Sequence, residues 1–206
     1  MKNIEHNKIF SVPEKDNQKR FIIGKKGTNN LLVVALNPST ADIDKHDPTT
    51  RYIEKIAQLN GFDGWLLFNL CPKRATHPSK LVINSEKNLL VDNLTFLNSI
   101  LQFNQFDFKN VWLAWGNNIN EKNRQYFKES AYYMFQIFEK YGLDFLSAGI
   151  NKPGHPVHPS PQSINMKYGT YKNVKLEPFD LKSYINTIKE KSTIRPEIMI
   201  DGIKFN

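Results

Sequence analysis

Four short apolar runs limit the folds open to this chain: LLVVAL at 31–36, WLLFNL at 65–70, VWLAWG at 111–116 and DFLSAG at 144–149. A strand with one wet face alternates apolar and polar residues, whereas a strand covered on both faces reads as a nearly continuous apolar run. The segments between the runs carry helical signals. Asp47-Pro48-Thr49-Thr50 looks like a helix start, with Asp as N-cap and Pro at the first helical position. Tyr52, Ile53, Ile56 and Ala57 then share a helical face, and Asn60-Gly61 closes it. Leu89, Leu90, Leu94, Leu97 and Leu101 repeat at helical spacing within 85–101, and an aromatic-rich helix is expected over 120–141, stopping at Gly142. Strands alternating with helices predict a three-layer α/β/α fold around a central, mainly parallel four-stranded sheet.

The chain reads as a single α/β domain over 1–206 with its core at about 30–165. KIFSV (8–12) and RFIIG (20–24) suggest an N-terminal hairpin within 8–24. LKSYINTIKE (181–190) suggests a last helix, and Asp201-Gly202 inside EIMIDGIKF (197–205) is a hairpin signal. These flanking elements, 8–24 and 181–205, are expected as appendages. The single cysteine, Cys71, excludes an internal disulfide and a cysteine-cluster metal site. No apolar run is long enough to span a bilayer and residues 1–20 lack a signal-peptide core, so no membrane association and a cytoplasmic location are expected. The net charge of +8 favours a polyanionic partner, nucleic acid or a nucleotide. The basic residues are spread evenly, 14 in 1–100 and 14 in 101–206, so the charge also reads as the general Lys-rich character of the chain.

In open α/β sheets ligands bind beyond the carboxyl ends of the strands. Polar, turn-forming residues follow all four runs here: Asn37-Pro38-Ser39-Thr40, Asn69-Leu70-Cys71-Pro72, Gly116-Asn117-Asn118, and Gly154 to Ser163. Asn37 is placed either to hold an attacking water or to cap a turn. Asn69 sits in an apolar strand, where an amide is costly unless paired; it reads either the edge of a heterocycle or neighbouring backbone. His158 is either a donor to an oxygen that becomes anionic or a structural loop histidine. His155 and His158 form only a weak metal pattern, and Asp47 suits a helix cap better than a cation site with Asp42 and Asp44, so neither metal nor cofactor is expected. Arg51 and Arg74 follow rim segments, where a planar fork suits phosphate. No P-loop, G-x-G-x-x-G or G-x-S-x-G pattern is present.

Taken in order, these strand ends resemble the uracil-DNA glycosylase superfamily over about residues 30–165. The match runs through LNPST with Asn37, LLFN with Asn69, LAWG at Trp115-Gly116, and His158-Pro-Ser-Pro-Gln-Ser163. A closer similarity joins the chain to a bacterial and phage domain family of unknown function. That family carries N-P-S-T-A-D, D-P-T-x-R, N-L with a following R-A-T-x-P, W-G and a final G-H-P-x-H-P. Here these are Asn37 to Asp42, Asp47 to Arg51, Asn69-Leu70 with Arg74 to Pro78, Trp115-Gly116, and Gly154 to Pro159.

The glycosylase resemblance implies an enzyme of base excision. It would flip a nucleotide into a pocket and hydrolyse the N-glycosidic bond of a damaged or modified base in DNA. In that scheme Asn69 reads the base edge, Asn37 positions water, and His158 stabilises charge on the departing base. Pro38, Ser39, Phe68, Trp115 and Ser160 line the base site, and Arg51, Arg74 or lysines hold phosphates. The alternatives are a non-catalytic module of the same fold that binds a base, nucleotide or DNA, and a hydrolase of a small nucleoside or nucleotide.

Overall fold

The computed structural model describes residues 4–39, 47–190, 198–200 and 202–205. The chain alternates strands and helices: β1 (Ile9–Val12), β2 (Ile22–Lys25), β3 (Asn30–Ala35), α1 (Pro48–Leu59), β4 (Gly64–Asn69), α2 (Lys87–Gln102) and β5 (Asn110–Leu113). It continues through α3 (Arg124–Tyr141), β6 (Asp144–Ser147), α4 (Pro161–Tyr168), β7 (Glu177–Pro178), α5 (Leu181–Glu190), β8 (Ile198–Ile200) and β9 (Ile203–Phe205). Each of the four apolar runs forms a strand, and these four, β4, β3, β5 and β6, lie side by side and parallel.

The sheet is larger than the expected four strands. Seven strands run in the order β1-β2-β4-β3-β5-β6-β7, with β2 antiparallel to β4 and β7 antiparallel to β6. The added strands cover the edges of the parallel core, whose backbone N–H and C=O groups would otherwise lack partners. The N-terminal hairpin is therefore part of the sheet rather than appended to it. β7 is two residues long and contains Pro178, which only an edge position tolerates.

Helices cover both faces. One apolar cluster joins alternate strand residues, such as Leu32, Val34 and Phe68, to α2, α3 and α5. The other joins Leu31, Val33, Trp65 and Leu67 to α1 and α4. Helix α4 begins within the stretch read from sequence as a loop. Its start follows the same logic as that of α1: the cap Ser160 accepts the Ser163 N–H, and proline occupies the first turn. β3 lies at the centre, paired with β4 on one side and β5 on the other. The chain thus changes winding direction about β3, and a crevice opens at the carboxyl ends of β3 and β5.

The C-terminal elements also belong to the core. Helix α5 packs on α3, and the β8–β9 hairpin packs on α2 with Ile198 and Ile200 buried. Asp201 of the expected turn lies outside the described residues. No helix among the described residues is long and apolar enough to cross a membrane.

Tyr184 ties α5 to the sheet. Its hydroxyl accepts the Trp115 indole N–H at 3.0 Å and lies 2.9 Å from His155 Nδ1. Tyr184→Phe leaves a buried N–H without its acceptor and is expected to lower the unfolding free energy by about 1–3 kcal/mol in urea titration. An unchanged stability would contradict this bracing role.

Candidate functional site

A cleft of about 920 Å³ opens at the carboxyl ends of the central strands. It is lined by residues of every rim segment: Asn37 and Ser39 after β3, Asn69 ending β4, Trp115 to Asn118 after β5, and His158 and Ser160 before α4. The rim segments that the sequence singled out converge on one cleft.

Asn69 is the central residue. Strand pleating sends neighbouring side chains to opposite faces. Phe68 points into the layer beneath α2, where its ring lies 6.5 Å from that of Phe96, and it does not line the cleft. This corrects the expectation that Phe68 forms part of the base site. Asn69 faces the other way and pairs in register with Ala35, whose small side chain leaves space beside it. The residue is only 1% exposed, yet neither Oδ1 nor Nδ2 has a hydrogen-bond partner among the described residues.

Two other buried amides are fully satisfied, and Asn93 lacks a partner only at Oδ1, whereas Asn69 lacks one at both atoms. Asn30, at the opposite end of the sheet, accepts from Gly27 N–H at 2.8 Å and donates to the Gly27 and Phe106 carbonyls. Asn123 likewise accepts from Ile83 and donates to Pro78 and Leu81. An unmet buried polar group costs about 1–3 kcal/mol, so its retention at the wall of a cleft points to a ligand.

The backbone beneath Asn69 is clamped from α2 and α3. Asn93 donates to the carbonyls of Asn69 and Leu70 at 2.9 and 3.2 Å, and Ser130 Oγ donates to Leu70 O at 2.6 Å. Sequence reasoning missed both residues, because a polar residue within an amphipathic helix carries no sign of what it meets.

Asn37 uses its Nδ2 on the Pro38 and Ala75 carbonyls at 3.0 and 2.9 Å. That locks the side chain and leaves Oδ1 as its acceptor. Pro38 is buried outside the cleft and contributes its carbonyl to this lock. Asp47 caps α1 as expected, accepting Thr50 N–H at 2.8 Å, and its other oxygen accepts from Ser39 Oγ. It also lines the cleft. Asp42 and Asp44 lie outside the described residues.

The two histidines of HPVHPS have different tasks. His155 is 5% exposed; its ring nitrogens lie 2.9 Å from Tyr184 Oη and 2.6 Å from the Asn120 amide, so it braces the loop. His158 lines the cleft, and its Nδ1 accepts the Ser160 N–H at 3.1 Å. The neutral ring therefore carries its proton on Nε2. Burial pushes the His158 pKa down from 6.5 to about 4, against the opposing charge of Asp47.

Gly116 makes this placement possible. Its φ is +73°, its N–H donates to Pro156 O at 3.0 Å, and a Cβ there would lie 2.9 Å from His158 Cβ. The Trp-Gly pair thus does two jobs: Trp115 anchors to Tyr184, and Gly116 makes room for the imidazole.

The expected phosphate ligands lie elsewhere. Arg51 is exposed on α1 and outside the cleft lining. Arg74 also lies outside that lining, donating to Ser39 O at 3.3 Å and so bracing the loop after β3. The cleft's cations are instead Arg20, Lys152 and Lys167; lysines were expected only as a class, and Arg20 not at all. Arg20 is 1% exposed and enters from the segment before β2, far from every recognised motif. Cys71 is buried, which pushes its thiol up to about 12 and leaves it inert.

A family model described as a protein of unknown function, DUF1643, matches residues 20–160. The chain belongs to the DUF1643 family. This agrees with the resemblance, seen in the motifs, to a domain family of unknown function. The DUF1643 match opens at Arg20 and ends at Ser160, both of which line the cleft. No curated protein matches the chain.

Because the folded pKa of His158 lies below its unfolded value, the unfolded chain binds more protons between pH 6.5 and about 4. The stability contributed by the neutral ring is present above pH 6.5 and is lost as pH falls through that window. His158→Gln is expected to flatten the decline in melting temperature over that interval. A decline as steep as that of the wild type would show that His158 is not the group responsible.

Proposed function

We propose that the cleft receives a nucleobase and that the protein hydrolyses the N-glycosidic bond of a damaged or modified base in DNA. The observation that carries this reading is the unpartnered, buried amide of Asn69. A nucleobase edge offers donors and acceptors side by side, and an amide presents one of each at matching spacing. Ser160 gives the cleft a hydroxyl group, and Ile150 and Met166, 52% and 85% exposed, set apolar side chains at its rim. Such residues suit contact with base faces.

The other groups have roles consistent with this reading. The C1′–N bond breaks with its electron pair on the base, and the Nε2–H of His158 donates to the oxygen on which that charge collects. A neutral donor suits a weakly basic anion. A water accepted by Asn37 Oδ1 adds to C1′ and gives up a proton, which ends on the released base. Arg20 and Lys152 supply positive charge for the phosphates. The resemblance to the uracil-DNA glycosylase superfamily supports the same assignment at Asn37, Asn69 and His158.

The test is base release from labelled single- and double-stranded oligonucleotides carrying uracil, hypoxanthine, alkylated or hydroxymethylated bases, read by alkaline cleavage of abasic sites. The expected result is release from at least one substrate, reduced about 10²–10³-fold in His158→Ala. No release from any substrate at enzyme excess would overturn the hydrolytic reading and leave a binding module.

A further inference from the structure

Asp47 is the only carboxylate among the described residues that line the cleft. Asn37, at the carboxyl end of the central strand, is neutral, and its Nδ2 is occupied by two carbonyls. A sugar carbon that loses its base becomes cation-like, and neither Asn37 nor a water can balance that charge.

We propose that Asp47, besides capping α1, supplies the negative charge that stabilises the cation-like sugar carbon during N-glycosidic cleavage. This rests on the reading of the cleft as a base site. Asp47 forms no bond to the sugar and exchanges no proton in this step; it acts through its charge, and the water and proton follow the path given above. Its geometry is suited to the task. Thr50 N–H holds one oxygen at 2.8 Å, Ser39 Oγ donates to the other, and Pro48 fixes the turn that follows. The carboxylate is therefore preorganised, needing no reorientation as the charge develops. His158 lines the same cleft and feels the charge of Asp47. Asn69, buried and unpartnered in the same cleft, gives the base end of the ligand its place.

Capping and charge can be separated, because Asn caps a helix about as well as Asp but carries no charge. The probes are two oligonucleotides with abasic analogues of the same shape. One holds a pyrrolidine, protonated where the sugar carbon becomes positive; the other holds a neutral tetrahydrofuran. Wild type is expected to bind the pyrrolidine strand at least about tenfold more tightly, and Asp47→Asn to bind the two within about twofold while melting like the wild type. Discrimination retained in Asp47→Asn would overturn the proposal. DNA binding by the wild type without discrimination would also overturn it, while leaving the base-site reading intact. Binding to neither strand would overturn both.

Discussion

At the carboxyl end of β4 the fold buries an amide and does not satisfy it. Much of the surrounding structure holds that amide in place. Asn93 and Ser130 clamp its backbone from two helices on the far face of the sheet, and Ala35 leaves the space beside it. The opposite end of the same sheet behaves differently: Asn30 is fully bonded, and Asp63 accepts from Thr28 and Asn29, which holds its carboxyl down at about 2. At that end the amide and the carboxylate are met by their own neighbours. The other is left open for a ligand.

The rim around Asn69 is built by pairing each functional group with a support. Trp115 is held by Tyr184, Tyr184 contacts His155, and His155 stiffens the loop that carries His158. Gly116 lets that loop approach the sheet. Arg74 and the Asn37 amide fix the turn after β3. The result is a set of polar groups of fixed orientation around a cleft, the arrangement that electrostatic catalysis and base recognition both require.

The central part of this architecture was legible in the sequence because it is periodic. Continuous apolar runs marked the four parallel strands, Asp47-Pro48 marked α1, and the polar residues at the strand ends marked the rim. What escaped was what periodicity does not encode. β7 is too short to carry a pattern, and the N-terminal hairpin joins the sheet through an antiparallel pairing that no local signal announces. Ser160-Pro161 carried the same start signal as Asp47-Pro48 but was masked by a run of prolines. Phe68 was placed in the site although it neighbours Asn69, and strand alternation puts the two on opposite faces. Arg51 and Arg74 follow rim segments in sequence but are not among the residues that line the cleft, whereas Arg20 reaches it from a segment with no motif at all. A side chain's direction depends on tertiary packing that sequence proximity does not report.

The central claim is that the Asn69 amide serves a ligand and not the fold. The most direct measurement is the unfolding free energy of Asn69→Leu without ligand. Leu has the branching and the heavy-atom count of Asn and no polar atom to leave unmet, so the account predicts a stability equal to the wild type or higher by up to about 1–3 kcal/mol. A loss of more than about 1 kcal/mol would mean that the amide makes structural hydrogen bonds, and the case for a base-reading site would fall with it.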